Sequence, residues 1–234
     1  MNRIEVIQQI INRTKARRYL EIGVCTGSSF LPMKVRHKIA VDPDFRITPR
    51  QRCRWFHRNL NSKFHEVTSD TFFATKKTQR GVDVVFVDGL HTYKQALQDV
   101  ENSLRRLNEG GVIVMHDCNP VNPASAHPAE SIDHAAALNL PGWTGEWCGD
   151  VWKTVCHLRS QRSDLRVFVL NCDYGLAIIT RGVPDKKLEL TQEAIEQMTY
   201  DDLAKNRLEL LNLTDETHFP EFLKTLTSVK RAAA

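Results

Sequence analysis

The stretch from Val82 to Pro120, VDVVFVDGLHTYKQALQDVENSLRRLNEGGVIVMHDCNP, constrains this chain more than any other. Val82 to Val87 is a short apolar, β-branched run of the kind that forms a central parallel strand. Tyr93, Leu97, Val100, Leu104 and Leu107 then recur at helical spacing, with polar residues between them. Gly110-Gly111 is expected to stop that helix, and Val112 to Met115 to begin the next strand. A strand, a helix and a second strand of this kind make a parallel pair with a crossover. Ligands of an open parallel sheet sit at the carboxyl ends of its strands. Those ends carry Asp88 with His91, and His116 with Asp117, so four side chains able to bind metal or move protons are expected in one place.

Upstream, Ile4, Ile7, Ile10 and Ile11, with Val6 beside them, mark an amphipathic first helix. Tyr19 to Ile22 reads as a strand that runs into Gly23-Val24-Cys25-Thr26-Gly27-Ser28-Ser29 and then a helix. Such a turn brings backbone N–H groups close to a ligand. The spacing is GxxxG, so the dinucleotide fingerprint GxGxxG is not met and a nicotinamide-dependent oxidoreductase is disfavoured. A tight turn without a ligand explains the motif equally well. Ile39 to Asp42 is a second short strand ending in an acid, 19 residues after Gly23. An acid at that distance suits the hydroxyls of a ribose, and it also suits a loop cap.

Phe45 to Arg58 carries Arg46, Arg50, Arg52, Arg54, His57 and Arg58 around Trp55 and Phe56. It reads as a solvated connector with the two aromatics tucked inward, or as a patch for an anionic ligand. Phe64 to Val67 is the third strand, followed by Thr68-Ser69-Asp70. Asn119 to Pro141 reads as a long excursion over the strand ends, where lids and substrate loops reside. Three tryptophans fall between Trp143 and Trp152, either as core packing or as an aromatic wall. Asp150 and Trp152 are the candidates for the acceptor side. Leu165–Leu170 and Leu176–Thr180 form a hairpin through Asn171 to Gly175. Beyond Pro184 the chain is a helical tail.

The predicted architecture is α/β, a doubly wound Rossmann-like seven-stranded mixed sheet with helices on both faces. Residues 1–183 form the domain, and 184–234 a helical extension that packs on it or on a second subunit. Apolar faces on the first helix and the tail leave room for a homo-oligomer. The net charge of +4 is far from that of an obligate nucleic-acid binder. No apolar run approaches the ~20 residues needed to cross a bilayer. The six cysteines are scattered without a paired framework, which favours free thiols. These readings place the chain in the cytoplasm, with neither nucleic acid nor membrane as partner.

In this order the motifs resemble the class I S-adenosylmethionine-dependent methyltransferases. YLEIGVCTGSS looks like their first motif, AVDPD their second, TSD the adenine-side motif and DVVFVDGLH the fourth. The stretch from Val87 to Asp117 is most similar to the metal-dependent small-molecule O-methyltransferases, in the branch that modifies sugars. The resemblance implies S-adenosylmethionine held by Glu21, Gly23, Gly27, Ser28, Asp42, Ser69, Asp70 and Asp88. It implies a divalent metal, Mg²⁺ in the relatives, held by Asp88, His116 and Asp117, and His91 as general base. The implied acceptor is a hydroxylated small molecule such as a sugar or glycosylated metabolite. One departure stands out: the relatives place two acids after strand five, and here the first is His116. Imidazole suits Mn²⁺, Fe²⁺ or Zn²⁺ better than Mg²⁺. Either the metal differs, or His116 is not a ligand, or the protein binds cofactor without transferring methyl groups.

Overall fold

The computed structural model describes residues 1–75 and 81–230. In chain order the principal elements are α1 (Arg3–Thr14), β1 (Arg18–Ile22), β2 (His37–Asp42), α2 (Pro49–Arg54), β3 (Ser62–Glu66), α3 (Ser69–Ala74), β4 (Val82–Val87), α4 (Tyr93–Leu104) and β5 (Leu107–Met115). They continue with α5 (Ile132–Ala137), α6 (Trp152–Gln161), β6 (Leu165–Leu170), β7 (Leu176–Arg181), α7 (Gln192–Gln197), α8 (Tyr200–Leu211), β8 (Leu213–Thr214) and α9 (Phe219–Thr225). The strands form a mixed eight-stranded sheet of order β3-β2-β1-β4-β5-β7-β6-β8. The Rossmann-like α/β class is thus as expected, with one strand more. The eighth, β8, is two residues long and pairs with β6 at Val169 and Leu170. So short a segment leaves no periodicity to read.

The chain divides into two compact units. Met1–Gly89, Asp99–Val114 and the chain from Pro220 onward make up the first; Leu90–Gln98 and Met115–Phe219 make up the second. The tail beyond Pro184 is therefore shared between them.

In the first unit, α1 starts at a capping box. The Asn2 side chain accepts from the Glu5 N–H, and Glu5 accepts from the Asn2 N–H. Its buried face is Val6, Ile7, Ile10 and Ile11. β1 runs parallel to both β2 and β4, and β2 parallel to β3. Every residue of β4 is buried, including Asp83. Burying a carboxylate is costly unless it is fully hydrogen-bonded. Here the backbone N–H groups of Arg17 and Arg18 donate to Asp83 at 2.6 and 3.1 Å, and Asn108 Nδ2 donates at 2.6 Å.

The boundary expected at Gly110-Gly111 lies elsewhere. α4 ends at Leu104 and β5 already begins at Leu107. The glycines are a bend within the strand. Gly110 takes a left-handed φ of 78°, and a Cβ on Gly111 would fall 2.8 Å from the Asp83 carbonyl oxygen. Glu109 bridges to Lys230, whose N–H donates to the Glu109 carbonyl at 3.0 Å. Phe56 also departs from expectation: it is 67% exposed. Trp55 lies under the guanidinium groups of Arg54 and Arg58 instead of in the core.

In the second unit, β6 and β7 are the expected antiparallel hairpin, with Leu165 opposite Arg181 and Leu170 opposite Leu176. Eight of the ten residues of α6 are buried. Among them, Arg159 donates to the carbonyls of Lys186, Glu209 and Leu210, closing the end of α8. All six cysteines are free, as expected. Among the described residues no helix is long and apolar enough to cross a membrane.

Asp83→Ala takes a fully buried acceptor away from three part-buried donors. We expect it to lower unfolding stability by about 3 kcal/mol or more, read from urea denaturation.

Candidate active site

In the first unit the exits of β1 and β4 touch. Gly23 follows β1 with φ 82°, and a Cβ there would lie 1.8 Å from the Asp88 carbonyl oxygen. Only glycine allows that approach. The Gly23 N–H donates to the Val41 carbonyl at 2.9 Å, and the Asp88 N–H to the Ile22 carbonyl at 2.8 Å. The Asp88 carboxylate pairs with Arg3 Nη1 at 3.1 Å. Arg3, in the first turn of α1, carries no motif by which sequence reasoning would have found it.

Glu21 is fully buried at the end of β1. Ser29 Oγ donates to one of its oxygens at 2.6 Å, and the Tyr19 hydroxyl donates to the other. Burial pushes its carboxyl up to about 8, against the pull of those two hydrogen bonds, and the nearby Asp88 charge pushes the same way. Ser28, expected to hold the cofactor, is exposed, and its neighbour Ser29 is the hydroxyl turned inward to Glu21. Gly27 is buried with φ 74°.

No helix follows this turn. Residues 25–32 form successive turns, and the buried Lys38 ammonium gathers the carbonyls of Phe30, Leu31 and Met33 at 2.9, 3.2 and 3.3 Å. Carbonyls aimed at one cation are unavailable to a helical ladder. Asp42 accepts from the Cys25 N–H at 2.8 Å and the Asp44 N–H at 2.7 Å, which makes it the cap of the loop after β2. A carboxylate has about four acceptor positions, so these two bonds leave room for ribose hydroxyls. Ser69, half-buried, and Asp70, exposed, occupy the first turn of α3, whose cap is Thr68.

The second unit brings two imidazoles to one carboxylate. Asp117 directly follows the His116 backbone and adopts a left-handed φ of 59°, uncommon for any residue but glycine. One of its oxygens, Oδ2, lies 3.0 Å from His116 Nδ1 and 3.3 Å from His91 Nε2. The Cys148 thiol is hydrogen-bonded to Asp117 too; burial first, then that carboxylate, pushes it well above the usual thiol range. His91 Nδ1 lies 2.8 Å from the Trp147 carbonyl, which can only accept, so Nδ1 carries the hydrogen. Neutral His91 therefore turns a lone pair toward Asp117.

His116 is in the same position. Its Nδ1 faces Asp117 and its Nε2 faces Asp173 Oδ1 at 3.4 Å, yet a neutral imidazole has one hydrogen for two carboxylates. Imidazole nitrogens and carboxylate oxygens gathered at one point are donors of the kind that suit a divalent cation.

His91 is held by its surroundings. Trp147 packs 5.0 Å from it, ring centroid to centroid, and Gly149, at φ 59°, lies so close that a Cβ would fall 1.8 Å from the His91 carbonyl oxygen. The acceptor-side candidates are corrected by their burial and partners. Trp152 is 1% exposed, a core residue of α6 with no open face. Asp150 Oδ1 accepts from the Tyr93 N–H at 2.7 Å and so caps α4. Sequence reasoning also missed Asp173, which sits in a hairpin turn and carries only a turn signal.

A family model described as a methyltransferase domain matches residues 20–118. Among curated proteins, no sequence matches the chain. Solved structures of similar fold include a Klebsiella pneumoniae protein assigned to the O-methyltransferases, at 12% identity and a TM-score of 0.56, covering 77% of this chain and 80% of that one. The O-methyltransferase TomG from Streptomyces achromogenes, involved in tomaymycin synthesis and solved with SAM, is 15% identical with a TM-score of 0.51. That match covers 75% of this chain and 78% of TomG. The Podospora anserina methyltransferase PaMTH1, bound to SAH, is 17% identical with a TM-score of 0.50, covering 78% and 80%. The family model bears out the resemblance of residues 20–118 to a methyltransferase domain, and the solved structures bear out the fold.

Because Glu21 keeps its proton in the folded chain to about pH 8 and loses it near 4.5 when unfolded, its contribution to stability falls as pH rises through that window. Glu21→Gln is expected to flatten the decline, seen by comparing urea midpoints at about pH 5 and about pH 8.

Proposed function

We propose that this chain, whose residues 20–118 are a methyltransferase domain, transfers the methyl group of S-adenosylmethionine to a hydroxyl of a small molecule, assisted by a divalent metal at Asp88, His116 and Asp117. The observation that carries the reading is the convergence of two imidazoles on one Asp117 oxygen, a set of nitrogen and oxygen donors that suits a divalent cation. Asp88 follows β4 and the His116-Asp117 pair follows β5, which are neighbours in the sheet order. That adjacency supports placing the third ligand at Asp88. The sequence similarity to the sugar-modifying branch supports a polyhydroxylated acceptor.

Bound S-adenosylmethionine would supply the methyl group as a sulfonium, an activated leaving group. The metal would supply positive charge that lowers the pKa of the acceptor hydroxyl and orients it. The chain's own residues do the rest. Gly23 lets the cofactor approach the backbone, and Asp42 offers its remaining lone pairs to the ribose. His91, with Nδ1–H anchored on the Trp147 carbonyl, presents Nε2 as the basic nitrogen. It takes the hydroxyl proton as the oxygen bonds to the methyl carbon. The sulfonium would take up the electrons of the carbon–sulfur bond, with S-adenosylhomocysteine as the leaving group. Alignment of oxygen and methyl supplies much of the acceleration.

His91→Ala is expected to cut turnover by about 10²-fold or more at saturating cofactor while leaving cofactor affinity unchanged, because general-base catalysis is typically of that size. Unchanged turnover would remove His91 from the mechanism. The metal preference follows from His116. Protein purified without a histidine tag is expected to bind Mn²⁺ or Zn²⁺ more tightly than Mg²⁺ in calorimetry, and His116→Asp to move that preference toward Mg²⁺. No binding of any of the three ions would refute the metal site.

A further inference from the structure

The basic segment that methyl transfer leaves unused lies at the opposite end of the first unit's strands. Residues 34–63 hold nine Lys and Arg against two Asp, a local charge of +7 in a chain whose total is +4. The two acids, Asp42 and Asp44, are at the carboxyl end of β2, where Asp42 caps the loop and Asp44 pairs with Arg46. Arg46, Arg50, Arg52 and Arg54 follow β2 in the next loop and in α2, while Lys34 and Arg36 lead into β2 and Arg58 toward β3.

There the segments leading into β2 and β3 line an open surface depression of about 240 Å³. Lys34, Arg36, His57 and Arg58 contribute to its lining, beside Leu60 and Asn61, and no acid does. None of these four cationic or titratable side chains is in an ion pair among the described residues. The walls are held in place. Arg58 donates to the Pro32 carbonyl at 2.9 Å and lies over the Trp55 ring at 4.8 Å. Asn59 Nδ2 donates to the carbonyls of Leu31 and Trp55 at 3.1 and 2.7 Å. Behind the wall, the buried Lys38 ammonium adds a cation; burial, together with the Arg58 charge, lowers its pKa to about 8, against the pull of Glu21. Like charges gathered around a pre-formed hollow repel one another until an anion enters.

We propose that this depression is a binding site for a phosphate group, separate from the methyl-transfer centre and independent of it. A phosphate carries up to two charges and several acceptor oxygens, which match an arginine fork flanked by Lys34 and Arg36. The volume accommodates the phosphate with part of the molecule that bears it. Leu60, 66% exposed, adds an apolar side chain to the lining for the remainder of such a ligand. The phosphate could belong to a free metabolite or to a lipid headgroup, and the test separates these sources.

The full chain is titrated with inorganic pyrophosphate in a calorimeter at low salt, and co-sedimented with vesicles of phosphatidylcholine and phosphatidylglycerol in equal parts. Both experiments are repeated on the double variant Lys34→Gln with Arg36→Gln; both side chains are exposed, so folding is retained. Saturable pyrophosphate binding that weakens about tenfold in the double variant, and that weakens with added salt, supports the site and assigns it to soluble phosphates. Vesicle binding alone, lost in the same variant, supports it and assigns the headgroup. Absence of both, or binding unaffected by the double variant, overturns the proposal. S-adenosylmethionine affinity, measured in parallel, is expected to be the same in both proteins.

Discussion

A single carboxylate oxygen, Asp117 Oδ2, receives two imidazole rings, and the second unit is arranged so that neither can turn away. His91 is fixed from behind by the Trp147 carbonyl, and His116 is flanked on its far side by Asp173. The left-handed backbone at Asp117 aims its side chain at both rings, and it persists because the surroundings over-determine it. Gly149 lets the loop carrying Trp147 approach the His91 carbonyl. The hairpin turn that presents Asp173 has left-handed backbone at Asp173, Tyr174 and Gly175, and its carbonyls accept from the N–H groups of Cys118 and Asn119. In a low-dielectric setting such a network gains from each satisfied partner and suffers from each unsatisfied one.

The first unit solves a related problem with protons. Glu21 is buried where a cationic cofactor would benefit from an acid, and the same burial favours its neutral form. Ser29 and Tyr19 hold its two oxygens, while Lys38 holds the carbonyls of the turn that carries Ser29. The shape of the loop after β1 thus comes from buried polar groups finding partners. A helix was the sequence expectation there, and the pull of one ammonium on three carbonyls displaces it.

What was legible in the chain was whatever depends on periodicity or on strand ends. The buried run of β4, the stripe of α1, the β6–β7 hairpin and the acids Asp42 and Asp88 after their strands all follow from local pattern. What was not legible depends on partners distant in sequence. Arg3 meets Asp88 across 85 residues, and His91 meets Trp147 across 56. The choice of Ser29 over Ser28 is a matter of one residue's rotation around a turn. Trp152 and Asp150 looked alike as polar-aromatic candidates near the lid. Only packing separates a core tryptophan and a helix cap from a ligand wall. The bend at Gly110-Gly111 imitated a helix stop because glycine serves both purposes.

Charge is segregated along the strands of the first unit in a way that the total of +4 conceals. Glu21, Asp42 and Asp88 gather at the carboxyl ends, where a sulfonium and a metal would be bound. Lys34, Arg36 and Arg58 gather at the amino ends of β2 and β3. A six-residue strand such as β2 spans roughly 20 Å at about 3.3 Å per residue. The screening length at physiological ionic strength is about 8 Å, so charges at opposite ends of the strand influence each other weakly through solvent. The parallel sheet therefore serves as a spacer that lets one small unit favour cations at one end and anions at the other. That separation lets Lys34, Arg36 and Arg58 coexist with the acids at the opposite strand ends.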